Sequence, residues 1–390
     1  MSEISNKILS EIGCSFLSGF AFKSSDYVNK GIPLIKIGNI QNRVVTIDTN
    51  GNYVPEELVN FQTQRYLLTN DDLLIAMTGQ GSVGRVGKLK LRKGDKAFLN
   101  QRVGKFICDE VHLNKDYLYY ILTTDKFQDY LFNTGAGSGQ PNLSPDLILQ
   151  TEIPWIEYSE QTAIASILSS LDDKIDLLHR QNATLEKMAE TLFRQWFVEE
   201  AKEEWEMGSI YELVEIVYGF PFKSKYFNSE KKGLPLIRIR DLKDGQSNVY
   251  TEEVCDLKFN LENGDLVAGM DGEFRLYIWS GIRSALNQRV CKFVPKHKYV
   301  PDFFIFSLMK PYLHYYENTK VGTTVIHLGK ADFDDIKISI PPISLLVKFG
   351  EETNEWFSKV KNNNNQIRTL TALRDTLLPK LMSGEVKVEY

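Results

Sequence analysis

From residue 164 the chain places apolar side chains at spacings that alternate four and three: Ile164, Leu168, Leu171, Ile175, Leu178, Asn182, Leu185, Ala189, Leu192 and Trp196. That period is a heptad seam, and a helix over 164–196 would extend about 50 Å at 1.5 Å per residue. Asn182 is its polar member, a residue type that commonly fixes pairing register. At an offset of 185 the pattern returns less purely, as Phe349, Thr353, Trp356, Val360, Asn363, Ile367, Leu370, Arg374, Leu377 and Leu381. Pro379 is expected to kink or end this second helix near its last turn. Two long helices, each with one apolar stripe, are expected to bury their seams against each other in antiparallel fashion, with one globule at each end.

Ahead of each seam the period changes. Short β-rich runs such as PLIKI, RVVTI and VGKLKL are broken by turns such as RKGD and LENGD, with helical patches such as 115–132 between them. This predicts a mixed α/β globule of the α+β kind. The expected boundaries are a globule over 1–157, a helix over 158–200, a second globule over 201–343 and a second helix over 344–390.

The two halves repeat each other in order. GFAFKS (19–24) returns as GFPFKS (219–224), GIPLIKI (31–37) as GLPLIRI (233–239), and DLLIAMTG (72–79) as DLVAGMDG (265–272). LNQRV (99–103) returns letter for letter at 286–290, and GSGQPNLS (137–144) has a weaker echo in GTTVIHLG (322–329). The offset drifts from 200 to about 185, as loop insertions would make it. Collinear matches of this kind mean an internal duplication with pseudo-twofold symmetry, and the period is long enough for each copy to be a domain.

Hydrophobic residues at 43% and charged residues at 25% suit two ordinary soluble cores. No apolar run approaches the ~18 residues of a membrane span, and MSEISNKILSEIG has no basic region followed by an apolar one, so neither membrane insertion nor secretion is expected. Cys14, Cys108, Cys255 and Cys291 lie far apart in sequence and read as reduced cytosolic thiols. The five histidines are scattered, with no metal-ligand spacing, so no metal is expected. The net charge of −5 conceals local bias: residues 80–105 hold eight Lys/Arg against one Asp, and 274–300 hold Arg275, Arg283, Arg289, Lys292, Lys296 and Lys298. Local basic surface attracts a phosphate backbone whatever the mean charge of the chain.

Catalytic motifs are missing. GQGSVG (79–84) matches GxGxxG but leads into a strand-like alternation rather than a helix, and its copy lacks the glycines. No GxxxxGK[ST], GxSxG or HExxH occurs, nor the (D/N/S)PP(Y/F) tetrapeptide of amino-methyltransferases. No catalytic residue is assigned.

Two globules entered by GF-x-F-K-S and PLI-[KR]-I and closed by IP-x-I, alternating with two long helices, resemble the DNA-specificity subunits of Type I restriction–modification systems. The segment 159–199 is similar to the first conserved helical region of that family, and LRDTLLPKLMSGEVKV (373–388) to its C-terminal end. SLLVKFGEETNEWF (344–357) departs, because the family more usually shows a glutamine-containing copy of the 160–168 pattern there. The resemblance implies a non-catalytic, cytoplasmic chain in which each globule is a target-recognition domain reading one half of a split double-stranded DNA site. It implies that the helices serve as spacer and dock two modification subunits, with restriction subunits joining them. S-adenosylmethionine, ATP and magnesium would then reside on those partners and no cofactor on this chain. Rival readings are a fused or orphan DNA-modifying enzyme, or a protein-binding scaffold with incidental basic loops.

Arg102 and Arg289 of the repeated LNQRV are expected to grip phosphate, which positions without specifying. Polar residues that differ between the copies are expected to read base edges: Gln80, Ser82, Arg85, Gln140 and Asn142 in one half, Asp271, Glu273, Arg275, Thr323, Thr324 and His327 in the other. Lys23, Lys36, Lys88, Lys223 and Arg238 complete the DNA-contact candidates. The tyrosine- and phenylalanine-rich runs YLYYI, FFIF and YLHYY are expected in the cores. A rod of about 50 Å would span roughly fifteen base pairs at ~3.4 Å each, so the expected target is two non-palindromic half-sites with unspecified bases between them.

Overall fold

The computed structural model of the chain describes residues 5–47, 51–92, 94–136, 141–319 and 326–388. They fall into two compact units, one of Met1–Asp172 with Leu373–Tyr390 and one of Asp173–Ala372. The C-terminal end therefore returns to the first unit.

In the first unit, a sheet runs in the order Cys14–Ser18, Val103–Cys108, Leu73–Ala76, Val86–Leu89, Val44–Val45, Ile40–Gln41. A second sheet runs Tyr53–Val54, Ile32–Ile35, Ala97–Leu99, Leu67–Leu68, and Ile32–Ile35 pairs parallel with Ala97–Leu99. Ser5–Ile8 pairs antiparallel with Glu152–Trp155 and closes the domain. Three helices follow the sheets: α1 (Lys115–Leu122), α2 (Asp125–Gly135) and α3 (Pro145–Leu149). The 115–132 patch is thus two helices rather than one. The Asn114 side chain caps α1 by accepting from the Asp116 and Tyr117 amides, and the chain restarts after Thr123 and Thr124.

The second unit repeats the plan. Its first sheet runs Val214–Tyr218, Val290–Pro295, Leu266–Gly269, Leu276–Ile278. In its second sheet, Leu234–Ile237 and Ser284–Leu286 form the parallel pair, and Met207–Ser209 with Lys337–Ser339 closes the domain.

Between and after the globular parts lie α4 (Tyr158–Arg194), α5 (Asp302–Thr319, in the second globule), α6 (Lys330–Asp334) and α7 (Ile343–Met382). A π-helical turn, Gln195–Glu199, continues α4, and α7 ends one turn after Pro379. Within the first unit Ile164, Ala165 and Leu168 share a core with Leu378, Leu381 and Met382, and that same core takes in Tyr117–Leu122. Within the second unit Ala189, Phe193, Phe349, Phe357 and Val360 join a core with Phe303–Phe306. The seams therefore pack on each other and on the globule at once. YLYYI and FFIF are buried as expected, whereas in YLHYY Leu313 is buried and Tyr315 exposed.

The polar seam position is fully engaged in the second unit. Asn182 Nδ2 donates to Asn364 Oδ1 and Asn363 Nδ2 donates to Asn182 Oδ1, both at 2.8 Å. Phe193 meets Phe349 further along, so these helix segments run antiparallel. Asn182 thus pairs both ends of its amide across the seam in this register, while Asn363 Oδ1 is buried with no hydrogen-bond partner among the described residues.

The departure at 344–357 has a physical reason. Gln161, fully buried, accepts from the Asn114 amide at 2.9 Å and donates to the His112 and Ile156 carbonyls. Its counterpart at the 185-residue offset is Leu346, also fully buried. The residue before α5, corresponding to Asn114 before α1, is Pro301, which has no amide to satisfy. A glutamine there would lack its acceptor's partner.

The cysteines, distant in sequence, are not all distant in space. Cys14 and Cys108 face each other across antiparallel strands, both as free thiols. Its hydrogen bond to the neighbouring Cys14 sulfur, and then burial, push the Cys108 thiol well above its usual range.

Candidate nucleic-acid interface

GF-x-F-K-S and LNQRV, which start 80 residues apart in the first half and 67 in the second, form one piece of structure in each half. Gly19 and Phe20 donate to the carbonyls of Val103 and Leu99 at 3.0 and 2.9 Å, and Gly219 and Phe220 to those of Val290 and Leu286, both at 2.9 Å. A Cβ on Gly19 would lie 2.1 Å from the Asn100 carbonyl oxygen, and one on Gly219 2.0 Å from that of Asn287. Only glycine allows this backbone approach. The repeated letters are fold determinants.

That frame gathers three loops at each LNQRV turn. In the first half Met77 donates to the Arg102 carbonyl at 2.9 Å, Leu143 donates to the Met77 carbonyl at 2.7 Å, and Thr78 bridges Asn142. In the second half Met270 donates to the Arg289 carbonyl at 2.9 Å, Leu328 to the Met270 carbonyl at 2.8 Å, and Asp271 bridges His327. The backbone bonds match one for one. The side chains on them do not.

In the first half Arg102 and Asn142 are exposed beside Thr78, whose hydroxyl is buried without a hydrogen-bond partner among the described residues. Gln80 is exposed and Ser82 and Arg85 half-buried on the turn where Gly79, Gly81 and Gly84 all take positive φ. This turn feeds the strand Val86–Leu89, which accounts for the GxGxxG pattern without a nucleotide. In the second half Asp271 holds two partners: its Oδ1 lies 2.6 Å from His327 Nδ1 and its Oδ2 3.4 Å from Arg289 Nε. Arg275 is exposed, 3.8 Å from Glu273. Gln140, Thr323 and Thr324 lie outside the described residues.

Other basic candidates are engaged within the fold. Lys88 Nζ sits 2.7 Å from Asp116 and over the Tyr119 ring. Lys36 donates to Asn52 at 2.7 Å, lies over Tyr27, and burial lowers its ammonium pKa. Arg238 is forked onto Asp241 at 2.9 and 3.3 Å. Lys23 and Lys223 are exposed beside the glycine–phenylalanine turn, their amides donating to Asp26 and Glu253. The basic run is thus only partly available to solvent: Lys105 and Lys292 are likewise tied to Asp72 and Asp265 at 2.8 and 3.2 Å. Thr78 was missed from sequence, and its pairing with Asn142 was the signal that only the repeated bridge supplies.

Among the described residues no group of His, Cys, Asp and Glu is placed to hold a metal, and no helix is long and apolar enough to cross a membrane.

Comparison with known proteins agrees with this two-domain plan. The family model described as the Type I restriction modification DNA specificity domain matches residues 1–187 and again 202–369. The Type I restriction enzyme MjaIX specificity subunit of Methanocaldococcus jannaschii is 30% identical over 308 residues, 70% of this chain and 69% of the relative. The EcoBI specificity subunit of Escherichia coli is 31% identical over 190 residues, covering 47% of this chain and 40% of that one. The crystal structure of a Type I restriction–modification S subunit from M. genitalium shares the fold, with a TM-score of 0.57 at 16% identity, covering 98% of this chain and 97% of that one. With both of its repeats matched and its β-rich domains each followed by a long helix, this chain belongs to the family of Type I restriction–modification specificity subunits.

Proposed function

We propose that this chain is the non-catalytic DNA-recognition subunit of a Type I restriction–modification assembly, acting in the cytoplasm. Each globule reads one half of a split, non-palindromic duplex site. The long helices dock two modification subunits, which bring S-adenosylmethionine and methylate adenine, and restriction subunits add ATP- and magnesium-dependent action on DNA. The observation that carries this reading is the loop frame built twice with the same backbone bonds and different polar side chains. A common frame presents a reading surface in the same way, and different side chains give it different base preferences.

Replacing residues 1–157 by the corresponding domain of a relative, in cells that also carry the modification subunit, should change one half of the methylated sequence and leave the other half intact. A swap that alters both halves, or a methylome of uninterrupted palindromes, overturns the reading. A protein-binding scaffold would show no DNA retention that falls steeply with salt, whereas phosphate neutralisation requires it.

A further inference from the structure

The three loops at the second LNQRV turn carry Asp271, Arg289 and His327 where the first half has Thr78, Arg102 and Asn142. A carboxylate on a surface facing polyphosphate repels it, so Asp271 opposes general DNA affinity. It nonetheless hydrogen-bonds with His327 Nδ1 at 2.6 Å and forms an ion pair with Arg289 Nε at 3.4 Å. Arg289 remains 54% exposed and His327 48% exposed, so both side chains are oriented without being buried.

Resting on the DNA-reading function proposed above, we infer that Asp271 is a positioning residue that aims Arg289 at a guanine, so that the second domain requires a G·C pair at this place. The guanidinium has five N–H donors in a rigid fork. Asp271 engages the Nε edge and His327 Nδ1 lies 3.5 Å from Nη1, so the guanidinium is held on two sides and its outer N–H groups on Nη1 and Nη2 are aimed at the two acceptors, N7 and O6, that guanine shows in the major groove. His327 is held by the same carboxylate through Nδ1. The first domain has no carboxylate at the equivalent position. Arg102 there has no carboxylate partner among the described residues, and the exposed amide of Asn142 matches the N6 donor and N7 acceptor of adenine. The two half-sites therefore differ at the equivalent base pair, G·C in one and A·T in the other.

The test uses the full chain co-expressed with its own modification subunit, with methylated adenines mapped across the genome. Asp271→Asn keeps the shape and removes the charge that orients Arg289. Arg289→Lys keeps the charge and removes the fork. Both should relax one G·C position in a single half-site, with discrimination there falling between about 5- and 150-fold, and leave the other half-site unchanged. Asp271→Asn should also raise retention on non-specific DNA, which separates the loss of aim from a loss of binding. Methylomes identical to that of the unaltered chain overturn the inference, as does relaxation in both half-sites. So does loss of all methylation by variants that keep the parent's thermal stability, because a positioning role predicts relaxed reading. Failure of the unaltered chain to direct sequence-specific methylation would instead overturn the DNA-reading function itself.

Discussion

Asp172 and Arg374, separated by 202 positions in sequence, are joined by a 2.7 Å contact from Arg374 Nη1 to Asp172 Oδ1, and Tyr120 donates to the other carboxylate oxygen at 2.7 Å. Arg374 occupies a seam position where an apolar residue would serve, and its charge is tolerated because Asp172 and Asp375 receive it. Burial pulls the guanidinium pKa down, but the two carboxylates more than offset that and leave it raised.

Asp172→Ala should therefore destabilise the first unit by about 1–3 kcal/mol, because it strands a half-buried guanidinium and a buried phenol together. Glu385→Ala, which removes the exposed partner of Lys380, should cost under about 1 kcal/mol. Urea denaturation midpoints of the two variants decide this, and equal shifts would remove the role assigned to Asp172.

Gln161→Leu copies into the first unit the residue that the second unit tolerates. It should cost about 2–4 kcal/mol, since the Asn114 amide and two carbonyls lose a buried partner at once. Leu346→Gln should also destabilise, by placing an amide where Pro301 offers no N–H. Thermal unfolding of each variant checks the pair, and a neutral Gln161→Leu would contradict the account of the 344–357 departure.

Gly19→Ala and Gly219→Ala drive a methyl carbon to within 2.1 and 2.0 Å of a carbonyl oxygen. The LNQRV turn has to move, at a cost of more than about 2 kcal/mol. The functional consequence should be specific to the half: Gly19→Ala impairs discrimination in one half-site and Gly219→Ala in the other. Methylome mapping of both variants reads this, and impairment of the same half by both would refute it.

Arg102→Ala should weaken DNA binding at every sequence and reduce the slope of log K against log salt by about 1, as the loss of one phosphate contact does. Lys88→Ala should leave that slope unchanged, because its ammonium already sits on Asp116. Fluorescence anisotropy across a salt series distinguishes them, and equal slopes for the two variants would place Lys88 on the DNA after all.

Amino-acid order alone was enough for the duplication, the alternation of β-rich and helical segments, the helix seams and the glycine–phenylalanine and LNQRV landmarks. Periodicity and turn chemistry act between near neighbours in the chain, so they can be read in order along it. The buried run Tyr117–Leu122 and the seam residue Asn182 are legible for that reason. Other features depend on which distant residues meet. Sequence shows Lys88, Lys105 and Arg102 as equivalent members of one basic run; only folding brings Asp116 to the first and Asp72 to the second and leaves the third exposed. Gln161 carries no mark of its three backbone partners, nor Cys14 of Cys108. The pairing of Asp271 with both His327 and Arg289 likewise appears only when three loops close on one turn. Hydrogen bonds and ion pairs act over a few ångströms, and chain topology decides which side chains come within that reach.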